Sequence, residues 1–251
     1  MECKLCKKEL LSLEQSHIIP EWMYKPIYSE KHKFIEINSK NFKQLKPEQK
    51  GYREELLCKS CEGKLSKWEA KAKKDLEDIT NKTSNFLKIT ELSSNFLLVE
   101  NINYDYFKKF ILSILWRMSI SSLTQFKDIK LGFYEENLRG LLHDDKVIDT
   151  FTYPTMVHQL QLQGKHYKDI IMGVEKGRIG NSHIFQSFVA FGYMFDVVIS
   201  RLKFPDSFLV ILLNQNGCLP IKLTDIMSLP QDKALLNRLN DHDVLSFHNK
   251  V

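Results

Sequence analysis

The sequence predicts an α+β protein in which a small cysteine-knuckled N-terminal unit precedes helices packed on an antiparallel sheet. Three observations carry this. Four of the five cysteines fall in two Cys-x2-Cys pairs, Cys3/Cys6 and Cys58/Cys61. A run over 104–123 places Phe107, Phe110, Ile111, Ile114, Leu115 and Met118 at helical spacing. Beyond Thr150 the texture changes: Met156, His158, Leu160 and Leu162 recur at period two, and further extended runs follow.

Residues 1–9 form the first knuckle, with Lys4, Lys7 and Lys8 on its solvent side. Ile18 and Ile19 favour an extended strand that Pro20 ends. Glu21 to Tyr24 has the length of one helical turn. Residues 25–50 are rich in Lys, Ser, Asn and Pro, which predicts an inserted loop with a short hairpin. Gly51 marks a turn, and 52–57 reads as a strand leading into the second knuckle. From Ser60 a helix is expected, with Leu65, Trp68, Ala72 and Leu76 on one face and Lys64, Lys67, Lys71 and Lys74 on the other. The polar stretch 81–85 ends it and sets a boundary between a unit over 1–80 and a region over 81–251. Asp105 near the start of the 104–123 helix suits the helix dipole. Arg117, inside that apolar helix, is a candidate buried ion-pair partner. A second helix is expected over 133–143. After it come extended runs at 170–174, 188–199 and 208–213, with turns at Gly177, Gly180 and Asn216-Gly217. This makes a sheet of four or five strands. The tail, 224–251, reads as one or two short helices.

An apolar fraction of 43% is ordinary for a chain of 251 residues with a packed core. No run of 18 apolar residues occurs, so no membrane span is expected. The first residues carry charge and cysteine rather than the apolar run of a secretory leader, so a cytoplasmic protein is expected. The net charge of +5 is uneven: residues 1–74 hold 17 Lys+Arg against 11 Asp+Glu. A basic excess beside the cysteines suits a phosphate-bearing partner, and equally a lysine-rich solvated surface.

An odd cysteine count argues against a disulfide framework. Two short-spaced pairs instead predict one structural zinc held by Cys3, Cys6, Cys58 and Cys61, because a two-residue knuckle aims both sulfurs at one ion. The 51 residues between the pairs must hold structure of their own. Cys218 is expected to be a lone buried thiol.

Cys-x2-Cys, then Ser16-His17-Ile18-Ile19-Pro20, then Leu56-Leu57-Cys58-x2-Cys61-Glu62 resembles the HNH endonucleases, the zinc-finger branch of the ββα-metal (treble-clef-like) nucleases. The resemblance covers residues 1 to about 75. It implies metal-dependent hydrolysis of DNA, with His17 as general base. It also implies a catalytic Mg²⁺ or Mn²⁺, distinct from the zinc, at the positions of Ser16 and Glu62. Both depart from the family pattern, which has an acidic or histidine residue at the first and a histidine or asparagine at the second. Glu14, Glu54 or Glu55 are candidates to complete the ligand set. Arg53, Lys59, Lys64 and Lys67 are candidate contacts to the nucleic-acid backbone. Compact proteins of this kind often act in restriction or anti-phage defence, and 81–251 would then sense a trigger, bind a protein partner or mediate self-association. The alternatives are a zinc protein that binds nucleic acid with weakened catalysis, and a protein-interaction module.

Overall fold

The computed structural model describes residues 1–37, 45–180 and 182–229. It is a mixed α+β structure whose N-terminal strands and helix pack against a helix-covered sheet. Strand β1 (Glu14–His17) pairs antiparallel with β4 (Arg53–Leu57), in a register that sets Ser16 opposite Glu54 and His17 opposite Arg53. The strand stops at His17, earlier than the β-branched Ile18-Ile19 pair suggested. Those two side chains are spent on the core, where both are fully buried, and Pro20 turns the chain into α1 (Glu21–Tyr24). The 25–50 segment contains the expected hairpin, β2 (Phe34–Ile37) with β3 (Leu45–Glu48).

β4 runs without a loop into α2 (Lys59–Asn81), with Cys58 as its extended N-cap. The predicted apolar face is the buried one: Leu65, Trp68, Ala72, Leu76 and Ile79. Lys82, in the left-handed region, ends the helix. The apolar core is continuous across this point. Ile18, Leu57 and Trp68 before it and Leu97, Phe110 and Phe195 after it belong to a single cluster.

At the centre lies α3 (Tyr104–Ile120), N-capped by Asn103 through the backbone N–H of Tyr106. Every residue from Phe107 to Ser119 is buried. The helix is therefore enclosed on all sides: α2 and α4 (Phe133–Asp144) pack along it, the Phe110 ring meets Phe195 of the sheet at 6.4 Å, and Trp22 from α1 meets Phe110 at 6.1 Å. Its three buried cations each find partners. Lys108 donates to the carbonyls of Tyr153 and Thr150, and Lys109 to Asp105 and Asp145. Arg117 is taken up below.

The sheet has eight strands, not four or five. Its order is β5 (Lys88–Ser93), β6 (Phe96–Glu100), β12 (Leu219–Asp225), β7 (Thr155–Leu162), β11 (Tyr193–Val198), β10 (His183–Ala190) and β9 (Met172–Ile179), with β8 (Lys165–His166) beside β7. All pairs are antiparallel except β12 with β7. β5 and β6 escaped the sequence reading because β5 is a polar edge strand. β12 escaped because its partners lie far away along the chain. The run at 208–213 is no strand: Asp206–Ile211 is a 3-10 turn that packs Phe208 and Ile211 under Phe204 and Leu212. Gly177 is no turn either. It sits inside β9, where a Cβ would meet the Phe185 ring at 2.1 Å, while Gly180, at φ +59°, does turn the chain. Cys218 is only half-buried. Residues 226–228 form a 3-10 turn, and the remainder of the expected helical tail lies outside the described residues. No helix among the described residues is long and apolar enough to cross a membrane.

Candidate active site and metal centre

The first knuckle closes through Cys3 N–H donating to the Lys8 carbonyl and Lys7 N–H to the Cys3 carbonyl, with Lys7 at φ 60°. Lys4 N–H donates to the Leu56 carbonyl, so the knuckle is laced to β4 directly ahead of the second pair. The result is convergence: the sulfurs of Cys3, Cys6, Cys58 and Cys61 lie within 4.8 Å of one another, and Cys6 and Cys58 are 3.9 Å apart. Four thiolates at a Zn–S distance of about 2.3 Å stand roughly 3.8 Å apart at tetrahedral corners. The cluster can thus hold a structural metal ion such as zinc. Burial pushes the thiols of Cys6 and Cys61 up. Burial opposes ionisation of Cys3 too, but backbone N–H groups of Cys6, Cys58 and Leu5 outweigh it and bring that thiol to about 7. Among the described residues this is the only convergent group of three or more His, Cys, Asp or Glu ligand atoms.

His17 ends β1. Adjacent residues of a strand face opposite ways, and Ser16 and His17 accordingly meet different partners. Ser16, fully buried, donates its hydroxyl to Glu62 Oε2 at 2.8 Å. Glu62 is in the first turn of α2, directly after Cys61. Its other oxygen has no hydrogen-bond partner among the described residues. His17 turns instead to Glu21: Nε2 is buried and lies 3.2 Å from Glu21 Oε2, close enough for a charge pair but without hydrogen-bond geometry. Burial lowers the imidazole pKa below its usual 6.5, as do the Arg53 and Arg117 guanidiniums, while the Glu21 and Glu62 carboxylates pull it back up. The ring is neutral near neutral pH.

Glu21 is the residue the sequence reading missed. It takes the Tyr28 hydroxyl on Oε1 at 2.5 Å, and Arg53 Nη2 and the Gly51 N–H on Oε2, each at 3.3 Å. These bonds, with His17, hold its carboxyl below the usual range against the effect of burial. Gly51 is required here, since a Cβ would stand 2.7 Å from the Tyr24 ring and 2.8 Å from Glu21 Oε2. A glycine before a strand gave no hint of this role. The only available signal was the His17–Glu21 spacing of four.

The other candidates separate. Glu54 accepts from the Ser121 hydroxyl and from the backbone and hydroxyl of Ser122, so it fastens the end of α3 rather than lining the site. Glu14 and Glu55 are exposed. Lys59 and Lys67 are exposed on α2, whereas Lys64 donates to the His143 carbonyl at the end of α4 and Arg53 is held by Glu21. His158 and His166 are structural, on Thr224 with Asp196 and on the Gly192 carbonyl respectively.

Comparison with known proteins gives no match: no family model, no curated protein and no solved structure aligns with the chain. The likeness to the HNH endonucleases rests on the motif residues themselves.

Proposed function

We propose that the chain is an HNH-type nuclease that hydrolyses DNA phosphodiester bonds in the cytoplasm, serving restriction or anti-phage defence. The observation that carries the reading is His17 at the end of β1, one residue after the Ser16 that holds the Glu62 carboxylate, on strands anchored by the four-cysteine cluster. In this reading β1, β4 and the start of α2 are the ββα unit, and zinc in the cluster is structural, its four thiolates leaving no open position.

With Nε2 turned inward to Glu21, Nδ1 is the nitrogen left to take a proton from attacking water. Glu21 faces that nitrogen with its negative charge. Glu62, with Ser16 fixing one oxygen, offers its other oxygen to a divalent cation, and one or two carboxylates with waters are the ordinary holding set for Mg²⁺. Such an ion, when bound, supplies positive charge for the scissile phosphate and its leaving oxygen. Lys59 and Lys67 face outward from α2 toward a nucleic-acid backbone. The region 81–251 is the sensor, partner-binding or assembly part.

The test is supercoiled plasmid incubated with Mg²⁺ or Mn²⁺, wild type against His17→Ala. Nicking by wild type alone is the expected result. No nicking under either ion sinks the nuclease reading, and nicking retained by His17→Ala sinks the base assignment. One observation favours a second reading, a zinc-containing module that binds nucleic acid or protein without cleaving: among the described residues Glu62 belongs to no group of three or more convergent ligand atoms. Salt-dependent DNA binding without nicking is what that reading expects.

A further inference from the structure

We infer that Arg117 is a positioning residue for His17, a buried clamp supplied by α3 that fixes the histidine against the helix carrying Glu62. The inference rests on the nuclease reading for its catalytic consequence, and on the geometry alone for its structural one.

Arg117 is 0% exposed and lies in the last turns of the central helix. Its guanidinium reaches three ways. Nε donates to the Ser113 carbonyl of its own helix at 3.3 Å, which sets the plane of the group. Nη1 donates to the carbonyl of His17 at 2.6 Å, and Nη2 to Glu69 Oε1 at 2.7 Å. Glu69 is seven residues after Glu62, two turns along the same face of α2. One rigid, planar cation therefore ties the backbone of the candidate base to the helix that presents the candidate metal ligand. Three elements meet in it: the end of β1, the first half of α2, and the last turns of α3.

The chemistry makes this a specific device. A guanidinium offers divergent donors in fixed directions, whereas a lysine ammonium is a single point that cannot occupy both arms. A buried cation stripped of one partner is strongly unfavourable, so the structure holds the arrangement rather than letting it drift. The bond to His17 is to its backbone, so it constrains the ring's origin without blocking either ring nitrogen. Arg117 belongs to the region after residue 80. The guanidinium thus gives α3 a direct hold on the backbone of His17, beside the Glu54 bonds to Ser121 and Ser122 that tie the end of α3 to β4.

The experiment uses the full chain with Arg117→Lys and Glu69→Gln. His17 is observed through its imidazole ¹H–¹³C signal in histidine-labelled protein, assigned by its loss in His17→Ala. Metal content and circular dichroism establish that each variant is folded. The expected result is a displaced His17 signal in Arg117→Lys and a smaller displacement in Glu69→Gln. Plasmid nicking at saturating DNA should fall about tenfold or more in Arg117→Lys with KM unchanged, since displacing a reacting group by ~1 Å costs up to roughly a hundredfold. A His17 signal that overlays wild type in folded Arg117→Lys overturns the clamp. Should Arg117→Lys not fold, Glu69→Gln decides by the same signal: moved supports the clamp and unmoved overturns it. A wild type that nicks no DNA defeats the nuclease reading, while the imidazole signal still decides the clamp.

Discussion

In the cysteine cluster, four thiols converge to within 4.8 Å, and a backbone N–H from Cys58 reaches Cys3 at 3.3 Å. Around His17, a few residues away on the same strand pair, every acidic group close by already has a protein partner. Glu21 has Arg53, Tyr28 and Gly51, Glu62 has Ser16, and Glu69 has Arg117. The first arrangement is negative in waiting: its thiols cannot ionise together without a cation at their centre. The second has its carboxylates held by side chains and backbone, while His17 Nε2 and Arg53 Nε are buried without a hydrogen-bond partner among the described residues. A cluster of thiols that could hold a metal and a site whose carboxylates are already engaged by side chains should respond differently to the same perturbations.

The largest effect is expected at the cluster. Cys61→Ser should lose about one metal equivalent per chain, measured by elemental analysis. It should lower Tm by about 10 °C or more, each kcal/mol moving a domain of this size by roughly 2–4 °C. An unchanged Tm with metal still bound would break the contrast at its stronger end. Next comes His17→Ala. General-base removal should reduce plasmid nicking by about 100-fold or more, with metal content unchanged. Loss of metal in that variant would show that the two regions are one cooperative unit.

The two regions also differ in how much of them could be read from the sequence. Cys3, Cys6, Cys58 and Cys61 announce themselves because short spacing alone makes a knuckle, and their convergence needed only β1 and β4 to pair. His17 was singled out by its motif. Its surroundings were not. Glu21 is bound by Tyr28, Gly51 and Arg53, and Arg117 arrives from 100 residues further on. No local pattern encodes such contacts. The same distinction runs through the fold. Helix α3 showed its Phe107–Met118 stripe, and Arg117 stood out as a buried ion-pair candidate, but the helix's complete enclosure was hidden by Lys108 and Lys109, charges that normally mark a solvent face. The sheet was undercounted where pairing is non-local, as for β12 against β7, and where polar residues cover an edge, as at β5.

A smaller effect is expected from Ser16→Ala. The hydroxyl is fully buried and its role is to hold Glu62 Oε2. Groups that orient a metal ligand typically contribute about 10- to 100-fold in metal affinity or activity, so the Mg²⁺ concentration for half-maximal nicking should rise by about tenfold. The cost in stability should stay within about 1 kcal/mol, the usual net worth of one hydrogen bond. A Mg²⁺ dependence that does not move would remove Ser16 and Glu62 from the catalytic site and leave them as a strand-to-helix fastening.

The smallest effect, and the one with a definite sign, is Glu21→Gln. Burial and the Arg53 and Arg117 cations hold His17 below its usual pKa, and the Glu21 carboxylate is the nearest group opposing them. Removing that negative charge disfavours the imidazolium further, so the pKa falls and the acid limb of nicking should move to lower pH. Stability follows the same linkage. Below the unfolded value near 6.5 the unfolded chain takes up a proton that the folded ring resists, so the contribution of neutral His17 is present above that pH and is lost as pH falls below it. Glu21→Gln should deepen this loss just below pH 6.5, and it should also abolish the separate loss that the Glu21 carboxyl, held below its usual 4.5, contributes at lower pH; both are read from the slope of unfolding free energy against pH. A limb that shifts to higher pH would mean that Glu21 acts on His17 chiefly by holding the Arg53 cation close to the ring, so that Arg53, once released, moves away and no longer opposes the imidazolium. That outcome would make the balanced site a property of the Glu21–Arg53 pair rather than of His17 itself.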